Sequence, residues 1–290
     1  MGAPEGKEFK KDDLKTPMER IDIIQATLMR EDVLGFDPTV LSALDDPDAS
    51  QKDIENLKVK LGQDIFNHLF GLANSAYHGS LKMGKAQYFF EVVTRLGMEH
   101  TKVAILIFAL RRLARGDEET ERIYVKSFAA SVVGRILARG FGFRDESAKK
   151  VELGGLLFFL GLLMMLVYRN RRQEGDVDID DDFIQTYQSH LTERILARFQ
   201  LPDYLLEMVT NRYFTLGRMN INLSGVVQMA VAIVEFSFQR FNNRFVIQSP
   251  PSSNDDESVT LGAIIEEQFI AAGLRKYLQI VEEPYNRGLT

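Results

Sequence analysis

The sequence predicts an all-α protein, a multi-helix bundle around one central apolar helix at about 153–168. Three observations predict it. Apolar residues recur at 3.6-residue spacing through most of the chain, and strands alternating with helices are not seen. Glycine and proline are scarce, at 21 and 8 of 290 residues, so few positions break a helix. The stretch GGLLFFLGLLMMLVYRNRR, Gly154 to Arg172, is apolar on every side, as a helix at the centre of a bundle must be.

The elements follow in order. Residues 1–16 are charged, lack an apolar face and are expected to be disordered. Pro17 stands at a helix-start position, and Ile21, Ile24 and Leu28 share one face. Asp45, Asp46 and Pro47 signal a turn, and Ser50 with Asp53 makes a weak capping box for the next helix. GQDIFNHLFGLANSAYHG reads as another helix, closed by Gly79. Two helices are predicted to meet at Leu96-Gly97, because glycine takes the left-handed conformation that ends a helix. The next helix carries Ala129, Ala130, Ser131 and Gly134 on one side, suiting close approach by a neighbour. After the apolar run come an acidic loop, a helix ending before Leu201-Pro202, and two more helices. Residues 217–290 are expected to form a helical extension with a mobile loop near 246–258, where VIQSPPSSNDDES has turn composition.

Composition narrows the function. A formal charge of −6, from 35 basic and 41 acidic side chains, argues against general nucleic-acid binding, which needs a basic surface. Without cysteine, disulfides, thiolate nucleophiles and Cys-based zinc sites are excluded. The polar start has no signal-peptide character, so a cytoplasmic protein is expected. The uncharged run from Leu153 to Tyr168 falls short of the ~20 residues that cross a bilayer. It is also isolated and flanked by charges, so it reads as buried core with no membrane partner.

Chemistry has few carriers. His68, His78, His100 and His190 show no i,i+3 or i,i+4 pairing with one another, and each reads as a surface or helix-end side chain. The run Asp176, Asp178, Asp180, Asp181 and Asp182 resembles the start of a calcium loop. It has Asp181 where that loop needs glycine and Tyr187 where it needs a bidentate Glu. Its carboxylates instead suit the N-terminus of a helix beginning near Phe183. No nucleophile elbow, phosphate loop or dinucleotide fingerprint is present. Arg111, Arg112, Arg115, Arg169, Arg171 and Arg172 read first as helix-end arginines. No catalytic residue, metal ligand or cofactor site is assigned.

One string is more specific. LANSA, Leu72, Ala73, Asn74, Ser75 and Ala76, followed by Tyr77, His78 and Gly79, resembles the HDOD family, relatives of the HD phosphohydrolases. The resemblance spans about Pro38 to Phe214, inside a domain placed at 17–216. Its other blocks fall in the family's order: Asp45 to Ser50, the helix pair around Leu96-Gly97, Ser127 to Arg139, GGLLFFLGLLMML, and the helix ending in Leu-Pro.

The resemblance implies an HD-like bundle in which the His-Asp metal pair is replaced by Phe158 and Phe159. By the same matching, other former metal positions fall on Lys126, Gln188, Arg212 and Tyr213, and His-Asp occurs nowhere in the chain. A non-catalytic bacterial signal-transduction module is therefore expected, acting through protein–protein contacts with an unidentified signalling partner or a second copy in a homodimer. LSGVVQMAVAIVEFSFQRF is apolar enough to offer such a surface, although burial is the first reading. Two alternatives stay open. One is a divergent metal-dependent phosphohydrolase with ligands from His190, Glu193, the Asp176–Asp182 loop and His78. The other is a pocket for an anionic small molecule lined by Arg111, Arg112 or Arg212.

Overall fold

The computed structural model describes residues 15–46, 48–74, 84–210, 221–249 and 261–282. Helix α1 (Pro17–Leu28) begins at Thr16, whose side chain accepts from the Glu19 amide while Glu19 returns the bond. Thr16 thus belongs to ordered structure and lies outside any disordered start; residues 1–14 are outside the described residues. Short helices α2 (Glu31–Leu34) and α3 (Thr39–Ala43) lead to α4 (Gln51–Leu57), started by the Ser50–Asp53 capping box, and to α5 (Gln63–Ala73). Helices α6 (Phe89–Leu96) and α7 (Met98–Ala114) meet at Gly97, whose φ of +88° is the left-handed backbone that glycine tolerates. Glu55 of α4 accepts the amide of Phe89 at 2.6 Å and fixes the start of α6.

The centre is a close pair, α8 (Glu118–Gly140) and α9 (Asp145–Leu157). Their approach depends on small residues, as the Ala130, Ser131 and Gly134 side of α8 predicts. A Cβ on Gly155 would stand 2.7 Å from the Ser131 backbone, and one on Gly134 would stand 3.0 Å from Val151. The apolar run is central, but it is divided. Helix α9 stops at Leu157 and α10 (Leu160–Arg171) restarts after Phe158 and Phe159, so the expected single helix over 153–168 is two helices joined by a turn. In the stretch Asp145–Arg171, 89% of the most apolar window is buried. Its apolar surface faces other helices; Leu160, Leu163, Met164 and Met165 are fully enclosed. Each such side chain stabilises the fold by about 1.5–3 kcal/mol through burial.

Helix α11 (Asp181–Arg198) starts at Asp180, whose carboxylate accepts the Phe183 amide, and it packs along α10; α12 (Asp203–Thr210) follows. Helix α13 (Leu223–Arg240) buries Val226, Val227, Ala230, Val234 and Phe238 against the central pair. The remainder departs from the helical extension expected at 217–290, and residues 246–249 of the loop expected near 246–258 lie in a strand. Strand β1 (Phe245–Ser249) and strand β2 (Leu278–Glu282) pair in parallel, Phe245 opposite Leu278 and Ile247 opposite Ile280. Helix α14 (Leu261–Ala271) lies between them in the chain, and residues 250–258 fall outside the described residues. The alternation of Phe245 and Ile247, both buried, carries a two-residue period too short to stand out in a helical sequence.

Candidate functional site

Phe158 and Phe159 occupy the turn between α9 and α10. Their rings meet edge-on with centroids 5.2 Å apart. Phe159 is buried and Phe158 is half-buried. Gln188, on α11, lies beside this turn. A Cβ on Gly161 would stand 1.8 Å from the Gln188 carbonyl oxygen, and the Gly161 amide donates to Thr192 Oγ1 at 3.0 Å. Thr192 in turn donates to the Gln188 carbonyl. The fold therefore brings Phe158, Phe159 and Gln188 to one helix crossing. Lys126 points elsewhere, with its ammonium 5.9 Å from the Phe238 ring of α13. Arg212 and Tyr213 lie outside the described residues.

These side chains do not suit a divalent metal. Two phenyl rings offer no donor where oxygen and imidazole ligands are required, and the Gln188 carboxamide, a neutral group, donates to the Gln185 carbonyl of its own helix. Among the described residues no three of His, Cys, Asp and Glu converge where they could hold a metal ion. The ligands considered for a relocated site are separately engaged. His190 and Glu193 pair on the exposed face of α11 at 3.6 Å. Asp178 pairs with Arg172, Asp181 with Arg169 at 2.6 Å, Asp180 caps α11, and Asp176 accepts the Gln173 amide. The acidic loop is a helix start tied down by arginines, and His78 is outside the described residues.

In the LANSA string, Ala73 is buried and Asn74 ends α5. Asn74 Oδ1 accepts the Ala86 amide at 2.6 Å and Arg95 Nη1 at 3.2 Å, and Arg95 also reaches the Gly84 carbonyl. Asn74 thus pins the segment that returns to α6. Leu72 lines a small interior cavity, and Ser75 and Ala76 lie outside the described residues.

That cavity borders a polar cluster with no signal in the sequence. His100 of α7, Arg135 of α8 and Glu152 of α9 are all at least 95% enclosed. Arg135 Nη1 donates to Glu152 Oε2 at 2.7 Å, and His100 Nε2 lies 3.7 Å from Glu152 Oε1. Arg135 Nη2 reaches outward to Asp145, which also binds Arg139. Burial lowers the His100 pKa and outweighs the opposing pull of Glu152, so the imidazole is held neutral. Of the surface and helix-end positions read for the histidines, His100 takes the second, in the first turn of α7, but it is buried. Its partners come from two other helices, at separations no local motif reports. The cavity, about 20 Å³, is lined by His100, Tyr124, Ser131, Glu152 and Gln268, and burial pushes the Tyr124 hydroxyl up to about 12. It has room for one water-sized group and none for a substrate.

The arginines proposed for an anion pocket serve the fold. Arg111 holds His68 Nε2 at 2.8 Å and the Gly273 carbonyl at 3.2 Å, while Arg112 donates to the Val33 carbonyl.

No curated protein matches the sequence. Among solved structures the chain is similar to a Geobacter sulfurreducens HDOD domain protein of unknown function. Identity is 15%, the TM-score 0.44, and the match covers 90% of this chain and 89% of that one. It is also similar to a Shewanella amazonensis SB2B protein described as a candidate metal-dependent phosphohydrolase, at 14% identity and TM-score 0.47, over 89% and 91% of the two chains. The sequence pattern of the HDOD domain matches residues 38–214. With LANSA, the helix junction at Gly97 and the crossing at Gly161 within that span, the chain belongs to the HDOD domain family.

Proposed function

We propose that this HDOD protein is a non-catalytic signal-transduction module that acts through protein–protein contacts. The observation that carries the reading is the phenyl pair at Phe158 and Phe159, in the positions where the resemblance to HD phosphohydrolases puts the metal-holding His-Asp pair. A metal-activated water needs ligands that fix the ion and leave a position open. Two apolar rings supply neither, and the Gln188 carboxamide is neutral and donates to the Gln185 carbonyl. The buried His100–Arg135–Glu152 cluster does not substitute for such a site. It lies behind a cavity of about 20 Å³, far below the ~300 Å³ at which small-ligand pockets begin.

The test is metal content of protein purified without chelator, with Mn²⁺, Fe²⁺ and Zn²⁺ titrations followed by thermal melting and by hydrolysis of a phosphomonoester and a phosphodiester. No stoichiometric metal, unmoved melting and no turnover are expected, since an ion that binds the native state raises its melting temperature. Metal-dependent turnover would sink the non-catalytic reading.

A further inference from the structure

Among the described residues, one face of α13 is left without a partner. Its other face fills the core, yet Ile233 is 44% and Phe236 62% exposed, and Phe241 just beyond the helix is 39% exposed. Among the described residues these side chains border an open groove of about 520 Å³ between α8, α13, β1 and α14. Val133, Ile136, Ile233, Phe236, Val246 and Ile265 make its apolar wall. The wall is held in shape. Ser237 Oγ accepts the Val246 amide at 2.9 Å and donates to the Arg244 carbonyl, fixing β1 against α13.

Arg240 is the charged residue in this lining. Its guanidinium lies 6.0 Å from the ring centroids of both Phe236 and Phe241, and among the described residues it forms no ion pair. In a chain of net charge −6, most arginines resolved here hold a carboxylate or a carbonyl. This one is set between two aromatic faces at the edge of an apolar trough. A carboxylate brought there would meet an exposed positive charge that forms no ion pair among the described residues, and the attraction would strengthen as the docked segment excludes water from the trough. Apolar side chains beside that carboxylate would fill the groove. Phenylalanine and arginine are also enriched at protein interfaces relative to the rest of the surface.

We infer that the α13–β1 groove docks a segment of another protein that carries apolar side chains and a carboxylate, with Arg240 taking the carboxylate and Phe236 the apolar anchor. This inference rests on the protein-contact reading above and supplies its surface.

The experiment uses the full chain and two fluorescein-labelled synthetic peptides that alternate Leu-Phe pairs with Glu or, in the second, with Gln. Fluorescence polarisation is read for the wild type, Arg240→Gln and Phe236→Ala. Both substituted side chains are exposed, so the variants should keep the wild-type melting temperature. The Glu peptide should bind the wild type about tenfold more tightly than the Gln peptide. Arg240→Gln should erase that difference, and Phe236→Ala should weaken both peptides about tenfold. Equal affinity for the two peptides, a preference that survives Arg240→Gln, or no binding of either overturns the assignment. So does a concentration-dependent dimer, seen by sedimentation and lost in Phe236→Ala, because a second copy would then be the occupant. Failure of peptide binding with silent hydrolysis assays removes the groove and leaves the non-catalytic reading standing. Metal-dependent turnover removes that reading whatever the peptides do.

Discussion

Glycines 155 and 161 show how single residues set the fold. Each lies where a second helix's backbone approaches closer than any Cβ allows, 2.7 Å at Ser131 and 1.8 Å at the Gln188 carbonyl. Alanine at either position gains about 1 kcal/mol of helix propensity. That gain is outweighed because a backbone cannot move aside as a flexible side chain can. Gly155→Ala and Gly161→Ala should each destabilise by about 1–3 kcal/mol, read as a lower urea midpoint. An unchanged midpoint would mean that the helices separate without cost. The buried pair behaves differently. Glu152→Ala removes the buried carboxylate of Arg135 and leaves the enclosed guanidinium with the outward Asp145 at 3.3 Å, so it should cost about 3 kcal/mol, whereas Arg135→Met with Glu152→Met should cost less than the two single losses together.

His100 adds a pH dependence. Its folded pKa lies below the unfolded value of about 6.5, so below that pH the unfolded chain binds a proton that the folded chain refuses. Stability from this group is complete above about pH 6.5 and is lost as the pH falls toward the lowered folded pKa. His68, also lowered by burial, acts in the same direction. Melting temperature should therefore fall on going from pH 7 to pH 5.5, and less steeply in His100→Gln. Equal slopes in the two proteins would exclude His100 as a source.

Among the elements, the turn between α9 and α10 separates sequence from structure most clearly. The apolar run from Leu153 to Tyr168 reads as one helix because nothing in it breaks a helix, yet the chain pauses at Phe158 and Phe159. Just beyond it Gly161 meets α11 at Gln188 and Thr192, and that contact is tertiary. Asn74 is a second such element. It joins the end of α5 to Ala86 and Arg95, so Asn74→Ala should cost about 1–3 kcal/mol through an unsatisfied amide at Ala86. Loss confined to exchange protection around 84–95 would agree with this role. By contrast, the helix junction at Gly97, the cap at Ser50 and the start of α11 at Asp180 were legible locally, since each is set by residues within three positions.

Over the whole molecule, the HDOD span at 38–214 and the helical bundle agree, and α13 enters the same core through Val227 and Ala230 beside Gly154 and Gly134. The groove on the opposite face of α13 exists because β1 lies beside it, and β1 is paired with a strand some thirty residues further along the chain. A partner surface could be suspected from the apolar length of that helix. Which half of it faces outward depends on the packing partners.

By itself the sequence determined the helical class, the buried destination of the apolar run, the caps and the absence of any His-Asp dipeptide. These follow from periodicity, composition and residues a few positions apart. Only the tertiary structure decided that the run is two helices, that His100, Arg135 and Glu152 meet in the core, that β1 pairs with β2, and that Arg240 lies at a groove with no ion pair among the described residues. Each of these joins residues from separate elements, and the distances between such residues are fixed by packing, which local spacing does not record.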